Sequence, residues 1–332
     1  MLSIQASRSP NDESDVRRFA CGPLSVEIDS SVPEAFEALC AALELYRHDT
    51  ETADAAKLEV KHATVNTVAA GTYLTCGRML VDRDGDRIFA STQSGITVTR
   101  RSLEATWHVA IPTVSYDEPT IGDLEDVLSL VFTEHWRTAG LQPLHAGCAV
   151  SPRGTSAMLC AASGGGKSTL TVALIRDGWK TLGDDKLLVA RGSGIARSLT
   201  RSFNIHPRAT DWFEELAHIH ELPRYSAWTE KRRVVIEDVW PGTSVAQATP
   251  QYVVRVVRDD SVGKWSLRSL TAAQLLATIL DQVVIPNDRV VARAIMEAVT
   301  EIAGRTCGIE LRLGSQAYER RGIAAALDAA LG

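Results

Sequence analysis

The chain has 332 residues, 45% hydrophobic and 23% charged, which suits one large globular domain or two ordinary ones. Thirty-five basic against 41 acidic residues leave a formal charge of −6, so no nucleic-acid partner is expected from bulk electrostatics. Cysteines at 21, 40, 76, 148, 160 and 307 form no CxxC pair, no stretch reaches the apolar length of a membrane span, and the first thirty residues lack a signal-peptide core. A disulfide framework, a zinc site and a membrane partner are thereby excluded, and a cytoplasmic protein with reduced thiols is expected.

Residues 1 to about 17 are polar and acidic and are expected to fray. A strand is predicted at 24–28, then a helix over 33–45 with Ser31 as its cap and Phe36, Leu39 and Leu43 on one face. Between 57 and 114, runs rich in Val, Thr, Ile and Tyr predict strands at 58–65, 72–81, 87–91, 96–101 and 104–111. The Asp84-Gly85 pair marks a hairpin turn among them. Residues 1–120 therefore read as a β-rich, antiparallel N-terminal domain for recognition or assembly, without visible chemistry.

A helix over 123–138 follows, capped by Asp123, ended by Gly140, and striped with Leu124, Val127, Leu128, Val131 and Phe132. The texture then becomes α/β. Small apolar strands at 144–151 and 156–160 are joined by a turn at Pro152-Arg153-Gly154. The second strand enters a glycine-rich loop, after which come a helix over 167–177, stopped by Gly178, and a strand at 186–190. Strands at 252–258 and 308–313 follow. Helices are predicted at 271–283, at 287–303 (capped by Asn287, stopped by Gly304) and at 315–331, closing a domain over 121–332.

The loop reads Ala161-Ala162-Ser163-Gly164-Gly165-Gly166-Lys167-Ser168-Thr169. Backbone N–H groups grip phosphate oxygens without side-chain entropy, glycines permit the dihedrals and the close approach, and the following helix adds its positive end. Lys167 would reach the β and γ phosphates, and the Ser168 hydroxyl would bind Mg²⁺. The residues from Ser163 to Thr169 are thus the expected nucleotide-binding set, with ATP and Mg²⁺ as cofactors. Alanine at 161 replaces the usual first glycine, at a cost of one methyl.

Gly183-Asp184-Asp185 follows the helix, and two adjacent carboxylates beside a triphosphate can divide proton abstraction from metal binding. Taken alone, such a turn facing solvent is the more ordinary reading. His145, in Leu144-His145-Ala146-Gly147, is by itself more often structural than catalytic. The basic run Lys231-Arg232-Arg233 could neutralise a transferring phosphoryl group or hold a peptide carboxylate, or could be a solvated strand end. Trp228 and Trp240 could line a groove or a core, and Cys148 and Cys160 read as small core residues.

As an ordered set, Leu144-His145-Ala146-Gly147, the loop ending Gly166-Lys167-Ser168, and Asp184-Asp185 resemble the catalytic domain of HPr kinase/phosphorylase and its smaller relatives. The resemblance covers about residues 140–190. It implies a P-loop α/β kinase domain of the HPr kinase C-terminal type behind a β-rich α+β N-terminal domain, and a homo-oligomer. It also implies Asp184 as general base, Asp185 and Ser168 as metal ligands, and Lys167 and His145 in the catalytic centre. The family's L-E-x-R-G-x-G signature is replaced by L-T-R-S-F-N-I-H-P at 199–207, which points away from phosphorylase activity and from HPr as acceptor. The chain is more similar to relatives found beside peptide-modification genes, including kinases of lasso-peptide precursors. The expected function is ATP-dependent phosphorylation of a serine-type hydroxyl in a peptide or protein. A small-molecule kinase, or a nucleotide-dependent binding module without transfer, are the alternatives.

Overall fold

The computed structural model describes residues 14–21, 24–44, 46, 54–63, 67–76, 79–102, 104–113, 118–198, 202–225, 229–318 and 322–332. The tail at 1–13, Leu199–Arg201 of the divergent signature, and Trp228 lie outside them. The architecture is mixed α/β, and contacts divide the chain into two units, residues 1–139 with 284–292 and residues 140–283 with 293–332.

The first unit contains β1 (Asp15–Cys21), β2 (Leu24–Ser30), α1 (Pro33–Glu44), β3 (Asp54–His62), β4 (Leu74–Cys76), β5 (Met79–Asp84), β6 (Arg87–Ser91), β7 (Thr97–Arg101), β8 (Thr106–Ile111) and α2 (Glu118–Thr138). Its eight strands form one sheet in the order β1-β2-β3-β8-β7-β6-β5-β4. The expected antiparallel arrangement is corrected at two places, because β2–β3 and β3–β8 pair in parallel. For β2–β3 the reason is α1, which separates the two strands and carries the chain back to start β3 in the same direction; β8 reaches β3 only after the antiparallel run from β4 to β7. The single strand expected at 72–81 is two, β4 and β5, and β1 occupies part of the stretch expected to fray.

Alternation on β2 buries Leu24, Val26 and Ile28, and the α2 stripe of Leu124, Val127, Leu128, Val131 and Phe132 is buried as well. Two caps are corrected. Asp123 lies inside α2, where its Oδ2 accepts the Ser94 N–H at 2.9 Å. The Ser31 hydroxyl donates to the Val60 carbonyl at 3.5 Å.

The second unit contains β9 (Leu141–Leu144), β10 (Gly147–Val150), β11 (Ser156–Cys160), α3 (Lys167–Arg176), β12 (Lys180–Gly183), β13 (Leu187–Ala190), β14 (Ala196–Ser198), β15 (Ser202–Ile205) and β16 (Arg232–Val235). The short α4 (Ile236–Val239), β17 (Gln247–Ala248), β18 (Tyr252–Arg258), β19 (Trp265–Ser269), α5 (Ala272–Leu280), α6 (Arg289–Arg305), β20 (Cys307–Leu313) and α7 (Gly322–Leu331) complete the order; the division between units crosses α6. Asp288, rather than Asn287, accepts the first N–H groups of α6, at 2.9 and 3.1 Å, and α6 runs past Gly304 to Arg305. The final helix is shorter than expected because residues 315–318 form a turn.

The main sheet of this unit runs β12-β10-β11-β18-β20-β19. Its β11, β18 and β20 are mutually parallel, and two antiparallel steps through β10 leave β12 pointing the same way. Four carboxyl ends therefore share one edge, the position at which open α/β sheets present ligands. One face packs Leu159, Val254, Val256 and Leu311 against Leu170 and Leu174 of α3 and Ile323 and Leu327 of α7. Each such side chain contributes about 1.5–3 kcal/mol of burial. The strand expected at 144–151 is also corrected: β9 belongs to a second sheet, β17-β14-β13-β9, and the break at His145-Ala146 moves the chain from one sheet to the other. The His145 N–H donates to the Gln282 carbonyl at 2.8 Å, outside either ladder. No helix among the described residues is long and apolar enough to cross a membrane.

Candidate functional site

The loop from Ala161 to Gly166 leaves the carboxyl end of β11 and enters α3. Gly164 and Gly166 have φ of 76° and 93°, values that an L side chain adopts only under strain. At Gly165 the constraint is spatial. A Cβ there would lie 2.9 Å from the Ala162 carbonyl oxygen and 3.1 Å from the Ala161 Cβ. Alanine at 161 is accommodated because residue 165 has no side chain, and its methyl is buried in the core. The Gly165 N–H is held by the Ala162 carbonyl at 2.9 Å, and the Leu170 N–H by the Gly166 carbonyl at 2.8 Å.

Lys167 stands in the first turn of α3 with only 8% of its side chain exposed. Its Nζ lies 3.4 Å from Asp185 Oδ1, and the same oxygen lies 2.7 Å from His145 Nδ1. The break between β9 and β10 places His145 there, and the end of β12 delivers Asp184 and Asp185. Burial alone raises the Asp185 carboxyl, but the His145 hydrogen bond and the Lys167 charge outweigh it and hold the group well below the usual carboxylate range.

Asp184 is 2% exposed. Burial, aided by the charge of Asp185, pushes its carboxyl above the usual value against the opposing pull of Lys167, the Ser168 hydroxyl and Lys231. Its Oδ1 has no hydrogen-bond partner. A buried carboxylate with an unsatisfied oxygen, on a residue that lines a cleft, is poised to accept a proton or a cation.

These groups line a cleft of about 430 Å³ together with Ser163, Ser168, Thr169 and residues from four other segments. Of the basic run, Lys231 reaches this lining. Arg232 and Arg233 instead donate to the Leu222 and Tyr225 carbonyls at 2.9 and 3.1 Å, and Arg233 lies over the Tyr225 ring. Trp240 is partly buried against the core of this unit. Burial pushes the Cys148 and Cys160 thiols up to about 12, so both behave as inert core residues.

The sequence reading missed Asn204, His206, Arg208, Trp212, Tyr225, Arg258 and Tyr318, which all line the cleft. Asn204 and His206 come from the two-stranded ribbon β15–β16 and its exit. His206 Nδ1 accepts the Arg208 N–H at 3.1 Å, and its Nε2 lies 3.3 Å from Glu230. The Asn-Ile-His-Pro run carried a local signal, since a polar residue before proline caps the short 3-10 turn that follows. Trp212, Arg258 and Tyr318 carried none.

The residues fit a Mg²⁺–nucleoside triphosphate. The glycine backbone is shaped as a cradle, Lys167 supplies charge, and a hydroxyl and two carboxylates converge beside it. Among the described residues no group of three or more His, Cys, Asp or Glu is placed to hold a metal alone. A Mg²⁺ ion here would take one or two protein ligands and complete its shell with phosphate and water.

No family profile and no curated protein matches the chain. Among solved structures, the Hpr(Ser) kinase/phosphatase from Coxiella burnetii aligns with 48% of this chain and 95% of its own, at 14% identity and a TM-score of 0.28. The chemical reading therefore rests on the site's own geometry.

Proposed function

We propose that the second unit is a P-loop kinase domain of the HPr kinase C-terminal type, transferring the γ-phosphoryl group of ATP to a hydroxyl. The observation that carries this reading is the meeting of the positive-φ glycine loop, Lys167, Asp184, Asp185 and His145 at one sheet edge. Loop amides between Ser163 and Thr169, apart from the Gly165 N–H that the Ala162 carbonyl holds, would bind the triphosphate, and Lys167 would leave Asp185 for the phosphates. Ser168 and Asp185 would hold Mg²⁺, which neutralises charge on the transferring group when bound. Asp185 suits that role because His145 and Lys167 keep it ionised. Asp184 suits the general base because it combines a free oxygen with a raised proton affinity. Lys231, whose charge reaches Asp184, would steady the acceptor or the phosphoryl group.

The resemblance of the sequence to HPr-kinase-related kinases of peptide biosynthesis favours a serine of a peptide or protein as acceptor, with a ribosomal natural-product precursor as one such peptide. The test is incubation with γ-labelled ATP and Mg²⁺, offering a peptide library in one arm and a metabolite pool in the other. Label on peptide supports the reading, label on a metabolite supports the small-molecule alternative, and nucleotide binding without transfer supports a regulatory module. Lys167→Ala should lose ATP binding; if it binds and turns over ATP like the wild type, the assignment fails.

A further inference from the structure

The strand order gives the cleft two unlike ends. β11, which feeds the loop, has β10 and β12 on one side and β18 and β20 on the other. Asp184 and Asp185 follow β12, so that side is the reacting end. On the opposite side β18 ends at Arg258, β20 ends at Leu313, and the turn beyond β20 brings Tyr318 into the cleft. A triphosphate seated on the loop with its terminal phosphate toward Asp184 directs its nucleoside toward β18 and β20.

That end is aromatic and rigidly held. Trp212 lines it, half-buried, with its ring 5.1 Å from that of Tyr318 at 60°. The Tyr318 hydroxyl reaches the phosphate loop, 3.1 Å from where a Cβ at Gly166 would stand. Arg176 clamps both aromatic residues by their backbones, donating to the Trp212 carbonyl at 3.1 Å and the Tyr318 carbonyl at 3.0 Å. Its guanidinium also lies 5.0 Å from the Phe213 ring. Because Arg176 ends the helix that Lys167 begins, one element fixes the spacing between the phosphate grip and the aromatic pair.

We propose that Trp212 and Tyr318 form the nucleobase subsite of this cleft, and that it accepts a purine by stacking without reading its hydrogen-bonding edge. The proposal rests on the phosphate-loop reading above. Stacking tolerates any base because every base has a π-face. Of the residues that β18, β20 and the turn beyond bring to this end, Leu313 and Gly314 carry no side-chain donor or acceptor, the Ser315 hydroxyl can serve either purine, and the Arg258 guanidinium, which could otherwise favour guanine, is drawn to Asp260 at 3.5 Å. The nearby backbone is also engaged: the Leu313 carbonyl accepts the Asp259 N–H at 2.9 Å, and the Gly314 N–H donates to the Lys264 carbonyl at 2.7 Å. ATP and GTP should therefore bind within about tenfold of each other, since only a bonded edge gives larger discrimination.

The experiment is calorimetric titration of the full chain in Mg²⁺ buffer with ATP, GTP and inorganic tripolyphosphate, for the wild type, Trp212→Ala and Lys167→Ala. Trp212→Ala should weaken ATP and GTP roughly tenfold and leave tripolyphosphate unchanged. Lys167→Ala should weaken all three. ATP binding untouched by Trp212→Ala, or an equal loss for tripolyphosphate, overturns the base subsite. An ATP–GTP difference far above tenfold overturns its tolerance. A Lys167→Ala variant that binds all three normally instead sinks the phosphate-loop reading beneath it.

Discussion

Replacing Asp184 by asparagine should make the protein more stable and abolish the proposed phosphoryl transfer. Asp184 is 2% exposed, and one of its oxygens has no partner. Its carboxyl is raised above the ordinary 3.8 chiefly by burial. The sign follows from linkage. An acid whose folded value lies above its unfolded value disfavours folding once ionised. That cost is absent below 3.8, grows as pH rises through the raised folded value, and is complete above it. An unsatisfied buried polar group costs about 1–3 kcal/mol and more when charged, and asparagine keeps the shape while removing the charge. Asp184→Asn should therefore gain about 1–2 kcal/mol at neutral pH, or about 2–4 °C per kcal/mol for a domain of 150–250 residues. Phosphoryl transfer should fall by about 10²–10⁴, the typical worth of a general base, while ATP affinity stays near wild type. Urea unfolding from acid to neutral pH, paired with label transfer from ATP, measures both. A stability change that is negative or independent of pH would show that the carboxylate is satisfied in the fold. Undiminished transfer would remove Asp184 as the base.

Gly165→Ala places a methyl 2.9 Å from a carbonyl that already accepts the residue's own N–H, so neither can yield without opening the loop. We expect a loss of about 1–3 kcal/mol in stability by overpacking, with ATP affinity falling at least about tenfold; wild-type affinity in calorimetry would mean that the loop is not the cradle. Glu310 governs acid stability: its side chain is 2% exposed, bonded by Arg268 at 2.7 and 2.9 Å and by Arg312 at 2.8 Å. These bonds bring its carboxyl from 4.5 down to about 2, so the stabilisation is whole above 4.5 and is lost as pH falls toward 2. Because both arginines are about half exposed, screening limits the effect to roughly 1–2 kcal/mol. Glu310→Gln should flatten the acid limb of unfolding, and an unchanged acid midpoint would contradict the assignment.

The glycine loop and its helix were legible because their requirements are local. Positive φ at Gly164 and Gly166, the missing Cβ at 165, and the strand and helix on either side are properties of a dozen consecutive residues. The same holds for the β5–β6 hairpin at Gly85 and for the apolar stripe of α2. Long-range pairing was not local. Nothing in residues 24–62 states that β2 and β3 run parallel, since alternation fixes which side chains face inward and leaves strand direction open. A continuous apolar run likewise hid the change of sheet at His145, whose imidazole reaches Asp185 because the ladder breaks there.

The sequence by itself determined that a glycine-rich strand-to-helix loop exists here and that a lysine, a hydroxyl and two carboxylates accompany it. Only the tertiary structure decided which groups surround them. Strand order set the carboxylates on one side of the loop and Arg258 and Tyr318 on the other, and a two-stranded ribbon turned Lys231 inward while committing Arg232 and Arg233 to nearby carbonyls. The physical reason is that dihedral preference and periodicity act over a few residues. Convergence at a sheet edge depends on which strands become neighbours, a choice made by the packing of the whole core.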